Sequence, residues 1–325
     1  MRLRIFASTA GGTTYEDVAR LARHAEECGF DGFFRPDHYV PVGGSPAGPA
    51  PSDVWTTLAG LARETRRIRL GSLMSAATFR GPGPLAVTVT QVDQMSGGRV
   101  ELGLGTGWYA AEHAAFGIPL PPTGERFERL AEQLAIVTGL WATPVGGRFR
   151  HVGRHYRLDG AVALRAVQRP HPPIIIGGRG PQRTPRLAAR FADEYNVQFA
   201  SLADTKALFE RVDAEAAELG RGTPGNRPAV LRSVCVSVAA GRTAAEVERR
   251  AATLRPLVAL GRQDGAPWPV RSTEAGAYGS VAQVVDHLGR FAAIGAARAY
   301  LRIADTSDLD HLDLLAAEVA PQLHS

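Results

Sequence analysis

The stretch "FFRPDHYV", residues 33–40, places an aspartate and a histidine where an apolar run stops. An imidazole titrates near about 6.5 when unperturbed, so a histidine can both take and give a proton near neutral pH. Asp37 and His38 are thus a candidate acid–base pair or an ordinary hydrogen-bonded loop pair. "GTGWYAAEH" (105–113) offers a second set. Its Glu112 and His113 could exchange a proton or make only a local contact. Its Trp108 could wall a pocket or anchor a core. "GGRG" (177–180) precedes a helical stretch, and glycines at a helix start leave backbone N–H groups open to an anion. Arg179 and Arg183 add charge there, so phosphate binding and simple packing both fit.

Other chemistries lack their residues. The nine histidines are scattered with no HxH or HExxH spacing, so no metal site is expected. The serine-hydrolase pattern GxSxG is missing. Cys28 and Cys235 have neither metal-ligand nor CxxC spacing and fit a reducing cytoplasm as small core residues. The net charge is +5, but Lys206 is the only lysine and the arginines are spread along the chain. With no basic tail or nucleic-acid motif, no nucleic-acid partner is expected. Arginine nearly without lysine, beside abundant alanine, points to a GC-rich coding sequence and a bacterial source. The start "MRLRIFASTAGG" is too short and polar for a signal peptide, and no apolar run is long enough to span a membrane.

These residues need elements to position them. A composition of 45% hydrophobic and 21% charged residues is that of a soluble globular chain. Short apolar runs at 2–8, 31–37, 67–75, 99–105, 172–178, 193–199, 229–241 and 297–303 predict strands. Helical periodicity fills 15–29, 52–65, 83–98, 124–141, 181–192, 202–220, 243–254, 279–295 and 309–323, with Gly29 as a stop and Ser52 as an N-cap. Eight strands alternating with helices predict a (β/α)8 TIM barrel. An open doubly wound sheet would need GxGxxG after the first strand, where "ASTAGGTTYED" stands. The whole chain, 1–325, reads as one such domain. Insertions near 142–171, hairpin-like, and near 255–278 are expected to cover the C-terminal mouth, and the Gly/Pro-rich 39–51 to form part of its rim. Catalytic groups of barrels sit at the C-terminal strand ends, which is where the four motifs fall.

Those motifs carry a resemblance that runs nearly end to end. "FFRPDHY", "RIRLGSLMSAATFRGPGPLA", "SGGRVELGLGTGWYAAEHAAFGIP" and "PPIIIGGRGPQRTPRLAARFADEYN" resemble, in order, four blocks of the bacterial luciferase-like flavin and deazaflavin oxidoreductases. The third block looks most like the branch that uses coenzyme F420. The resemblance implies an F420-dependent oxidoreductase that transfers hydride between the deazaflavin and a small organic substrate at the barrel mouth. An FMNH2-dependent monooxygenase on the same barrel is the alternative. By the same resemblance, His38 would transfer the proton, and Asp37 would bond a polar edge of the ring or orient His38. Leu73–Met74 would be a non-proline cis peptide backing the ring, with Ala76 and Thr106 lining its pocket. Gly177, Gly178, Arg179 and Gly180 would hold the phosphate of the cofactor tail. Trp108, Glu112 and His113 would face the substrate. Trp108 stands where sugar-phosphate dehydrogenases of the family carry a glutamate, so their acid–base scheme does not transfer. Relatives are often dimers, which leaves a homodimer open.

Overall fold

The structure is a computed structural model and describes residues 1–8, 13–40, 52–258 and 276–323. Its strands are β1 Arg2–Ala7, β2 Gly32–Arg35, β3 Arg69–Ser72, β4 Ser75–Ala76, β5 Val100–Gly105, β6 Arg148–Val152, β7 Arg157–Val162, β8 Ile174–Gly177, β9 Glu194–Gln198, β10 Leu231–Ala240, β11 Gly276–Gly279 and β12 Arg298–Ile303. Between them run α1 Tyr15–Glu27, α2 Val54–Glu64, α3 Pro82–Ser96, α4 Ala110–Ala115, α5 Thr123–Ala142, α6 Arg183–Phe191, α7 Leu202–Glu218, α8 Ala244–Val258, α9 Val281–Ala293 and α10 Leu309–Leu314. The parallel order β10-β12-β1-β2-β3-β5-β8-β9 closes where β9 pairs with β10, giving an eight-stranded (β/α)8 barrel. Strands covered on both faces need no polar alternation, which is why they read as short apolar runs.

Local chemistry sets the ends of the elements. Gly29 adopts φ 83 just past α1, a backbone that residues with a Cβ seldom adopt, and Phe30 N–H closes the turn on Ala25 O at 3.1 Å. The N-cap of α2 is Asp53, whose side chain accepts from Thr56 N–H, and not Ser52. Ser52 Oγ instead accepts from Arg35 at 3.2 Å. The expected last helix is α10 followed by a π turn, Leu315–Val319, and a 3-10 turn, Ala320–Leu323. Pro321 has no N–H to continue the α ladder. Two elements were not foreseen. α4 follows β5, and β11 pairs in parallel with the C-terminal end of β10. The stretch 142–171 carries the antiparallel pair β6–β7, which reaches the β4–α3 loop through Gln133 of α5. Of 255–278, residues 255–258 finish α8 and Gly276 opens β11, while the rest lies outside the described residues, as does most of 39–51. Among the described residues no helix is long and apolar enough to cross a membrane.

Two cores result. The larger lies between barrel wall and helices and takes Phe33. The smaller fills the barrel with Phe6, Phe34, Leu73, Ile175, Cys235 and Tyr300. Successive strand residues face opposite sides, so neighbours Phe33 and Phe34 serve different cores. Gly71 makes room for the inner ring, because a Cβ there would sit 2.2 Å from Phe34 Cε1 and 2.7 Å from the backbone oxygen of Glu101. Gly71→Ala is therefore expected to cost about 1–3 kcal/mol, read as a lower urea midpoint at unchanged m-value. An unchanged midpoint would show that the ring has slack.

Beneath this apolar layer the barrel floor is ionic. Arg4, fully buried, bonds Glu101 at 2.7 and 3.0 Å and Asp31 at 2.6 Å, and donates to Tyr300 Oη at 2.8 Å. Tyr300 donates in turn to Glu194 at 2.7 Å, Arg298 pairs with Glu194, and Arg69 pairs with Glu101. Glu101, Glu194 and Arg298 stand at the N-terminal ends of their strands, so this floor closes the end opposite the mouth.

Candidate active site

β2, β3, β5 and β8 are consecutive around the barrel, and β4 continues β3 beside β5, so the loops leaving their C-terminal ends share one mouth. Pro36 ends β2, and His38 follows in the loop with a quarter of its side chain exposed. Its Nδ1 meets Glu112 at 2.8 and 3.1 Å. Glu112 is fully buried and also accepts Tyr39 N–H at 3.3 Å. A carboxylate can only accept here, so Nδ1 carries the hydrogen and Nε2 is left as the atom that can exchange a proton. Trp108 and Tyr109 stand edge-on to the imidazole at 5.8 and 6.1 Å between ring centres.

In two places the sequence left alternatives open, and the structure removes one option from each. Glu112 and His113 do not form a pair with each other. Adjacent residues of α4 point about 100° apart, and His113 turns to Tyr109 O through Nδ1 at 2.7 Å and to Thr78 Oγ1 through Nε2 at 2.7 Å. Asp37 does not orient His38. It is buried and pairs with Arg80, which also pairs with Asp53 and donates to Tyr39 Oη at 3.1 Å. Burial pushes the Asp37 carboxyl up, with Arg80 and Ser75 pulling the other way. Burial likewise pushes the Tyr39 hydroxyl up to about 12, so its neutral oxygen accepts from Arg80. Burial acts on Asp53 in the same sense, but Thr56 N–H and Arg80 outweigh it and hold its carboxyl below the usual range.

The strand-three bulge is where it was expected, with a cis Leu73–Met74 peptide. The Met74 side chain fills space that glycines leave open: a Cβ on Gly177 would lie 2.3 Å from its Cε, and one on Gly103 2.9 Å from its Sδ. Ala76 pairs with Gly105 across β4–β5. Thr106 Oγ1 donates to Gly107 O at 3.3 Å, and Gly107, at φ 76, also accepts from Arg126. Gly178 adopts φ 144 and accepts from Tyr195 Oη at 2.9 Å. Gly180 lies against Thr184 in the first turn of α6, whose N-cap residue, Gln182, makes no side-chain cap bond. Arg179 donates to Phe199 O at 3.3 Å, and Arg183 stacks on Phe127.

Arg80, Thr78, Tyr39 and Gln133 were not singled out from sequence. Arg80 had a signal, a lone cation inside the glycine- and proline-rich "TFRGPG". Gln133 had none. It is buried in α5 and donates to Ala77 O at 2.6 Å and Arg80 O at 3.0 Å, which fixes the loop that carries Arg80.

The family described as luciferase-like monooxygenase matches residues 1–317. An F420-dependent glucose-6-phosphate dehydrogenase of Microbacterium testaceum is 38% identical over 53% of this chain and 49% of its own. One of Nakamurella multipartita is 36% identical over 55% and 51%. The chain thus spans about half the length of these curated relatives. Among solved structures, an F420-dependent secondary alcohol dehydrogenase bound to an F420–acetone adduct superposes with TM-score 0.83 at 18% identity, covering 100% of this chain and 99% of its own. Monooxygenase RslO1 of Streptomyces bottropensis does so with TM-score 0.81 at 22% identity, covering 99% of both. At these identities the likeness speaks to the fold.

Proposed function

The chain belongs to the luciferase-like monooxygenase family, and on that premise we propose that it is an oxidoreductase using coenzyme F420 on a small organic substrate at the barrel mouth. The observation that carries this reading is His38, held through Nδ1 by the buried Glu112 at the mouth and flanked by Trp108. The F420-dependent names of the similar dehydrogenases support the choice of cofactor.

The residues present fit that group. Gly177, Gly178 and Gly180, the uncapped start of α6 and the cations Arg179 and Arg183 would hold the phosphate of its tail, because open N–H groups and guanidinium donors suit an oxyanion. Leu73, Met74, Ala76 and Thr106 would line the ring pocket, with Asp37 behind them on Arg80. When bound, a deazaflavin would supply a carbon centre that gives or takes hydride. The protein's part is to position, to exclude water and to move a proton. His38 Nε2 would exchange that proton with the substrate, and Glu112 would keep the tautomer that leaves Nε2 available. Trp108 and Phe116, both substantially exposed, give the mouth an aromatic face that favours a flat or apolar substrate over a sugar phosphate.

The test is a titration of the purified protein with oxidised and reduced F420 and, separately, with FMN. Binding of F420 in preference to FMN is the expected result. Tight FMN binding without F420 binding would overturn the reading in favour of a flavin monooxygenase, which oxygen-dependent product formation would then establish.

A further inference from the structure

We propose that His24, Cys28 and Asp313 form a zinc site at the seam between α1 and α10, remote from the mouth. His24 and Cys28 are four residues apart on α1, hence on one face of the helix. Asp313 reaches them from α10 with Oδ1 2.8 Å from His24 Nε2 and 3.4 Å from Cys28 Sγ. All three donor atoms lie within 4.8 Å of one another. Donors about 2.0–2.3 Å from a tetrahedral ion stand roughly 3.3–3.8 Å apart, so a shift of about half an ångström between His24 and Asp313 admits one. Asp313 is half-exposed and His24 partly so, which leaves both able to make that shift.

The surroundings match a metal site beyond its ligands. His24 Nδ1 faces the Glu27 carboxylate at 3.7 Å. A carboxylate on the far nitrogen fixes the ring of a metal-bound histidine with Nε2 toward the ion. The partial exposure of His24 and Asp313 leaves the site open to an ion from solvent, and Cys28 also lines an adjoining pocket with Arg2, Gly29, Phe30 and Asp31. The set of thiolate, imidazole and one carboxylate suits Zn2+, with water as fourth ligand, and not Mg2+ or Ca2+, which take oxygen donors. Without metal, the thiol donates to Asp313, and burial and then that carboxylate push it up to about 12. Binding replaces that hydrogen: the Cys28 proton leaves to solvent, the thiolate bonds the ion, and Asp313 becomes its co-ligand. No redox step is involved. The sequence concealed the site because its third ligand stands 285 residues from Cys28.

The experiment uses the metal-stripped, reduced full chain and cobalt(II) as a spectroscopic probe, followed by Zn2+. The expected result is one Co2+ per chain with a thiolate-to-cobalt band in the near ultraviolet, displaced by Zn2+, and a thermal midpoint raised by Zn2+. Cys28→Ser should abolish that band and Cys235→Ser, inside the barrel, should retain it. Asp313→Asn, a change at a half-exposed carboxylate, should weaken binding if Cys28→Ser folds poorly. Glu27→Gln should weaken it about tenfold as an outer-shell partner. Absence of the near-ultraviolet band in the parent protein, or its persistence without Cys28, overturns the proposal. Neither outcome depends on the cofactor reading above.

Discussion

His38→Ala is expected to lower turnover by about two to four orders of magnitude, the usual contribution of a positioned general acid–base group, while cofactor affinity stays nearly unchanged. The separation follows from placement. His38 stands at the mouth with Nε2 available, whereas the segment 177–180, proposed to hold the cofactor tail, leaves β8 elsewhere on the rim. Added imidazole should restore part of the lost rate, because the cavity left by the ring is partly exposed. Glu112→Gln tests the positioning role separately. A neutral amide can donate to Nδ1 as well as accept from it, so the ring loses its fixed tautomer. The loss should fall on kcat more than KM, and imidazole should not rescue it. Unchanged turnover in His38→Ala would return that residue to a structural role and remove the observation on which the functional proposal stands.

The barrel and the placement of the motifs at its strand ends were legible in sequence for one reason. Parallel strands buried on both faces are short apolar runs, and a barrel puts whatever follows each run at the same end. Asp37, Trp108 and the glycines at 177–180 could be placed by that rule alone. Partner choice could not. His38 finds its carboxylate on α4, 74 residues away and not at adjacent Asp37, because Asp37 is buried against Arg80. Adjacency in sequence suggested the pairs Asp37–His38 and Glu112–His113, but neither forms: Asp37 meets Arg80 while His38 meets Glu112, and on α4 neighbouring side chains stand about 100° apart. The ionic floor was equally hidden: Arg4, Glu101 and Glu194 each sit inside an apolar run, and only strand register brings them level.

That floor carries the largest stability effect. Glu101→Gln is expected to cost about 3–5 kcal/mol, the usual loss when one member of a buried ion pair is removed and its partner is left uncompensated. Arg4 would keep Asp31 but lose the charge of Glu101 and one of its two bonds there, since glutamine offers one acceptor oxygen and a donor NH2 in place of the other, and Arg69 would lose its ion pair. At about 2 °C per kcal/mol for a chain of this size the midpoint should fall by about 6–10 °C. The pH dependence has a definite sign. Burial alone would raise the Glu101 carboxyl, but Arg4 and Arg69 outweigh it and hold the group below its ordinary value of 4.5. A folded-state value below the unfolded one means that the unfolded chain binds the proton more readily. The stabilisation is therefore present above about 4.5 and is lost progressively as pH falls below it. In Glu101→Gln this acid limb should flatten, so parent and variant should converge in stability toward low pH. Urea unfolding of both proteins between neutral and acid pH checks this, and equal midpoints at neutral pH would show that the floor does not hold the barrel closed. Cofactor affinity should not move in this variant, since the floor and the mouth lie at opposite ends of the strands. His38→Ala should show the reverse emphasis, a large loss of turnover with a smaller loss of stability because the buried Glu112 keeps Tyr39 N–H, so the two variants together separate what the barrel stands on from what it does.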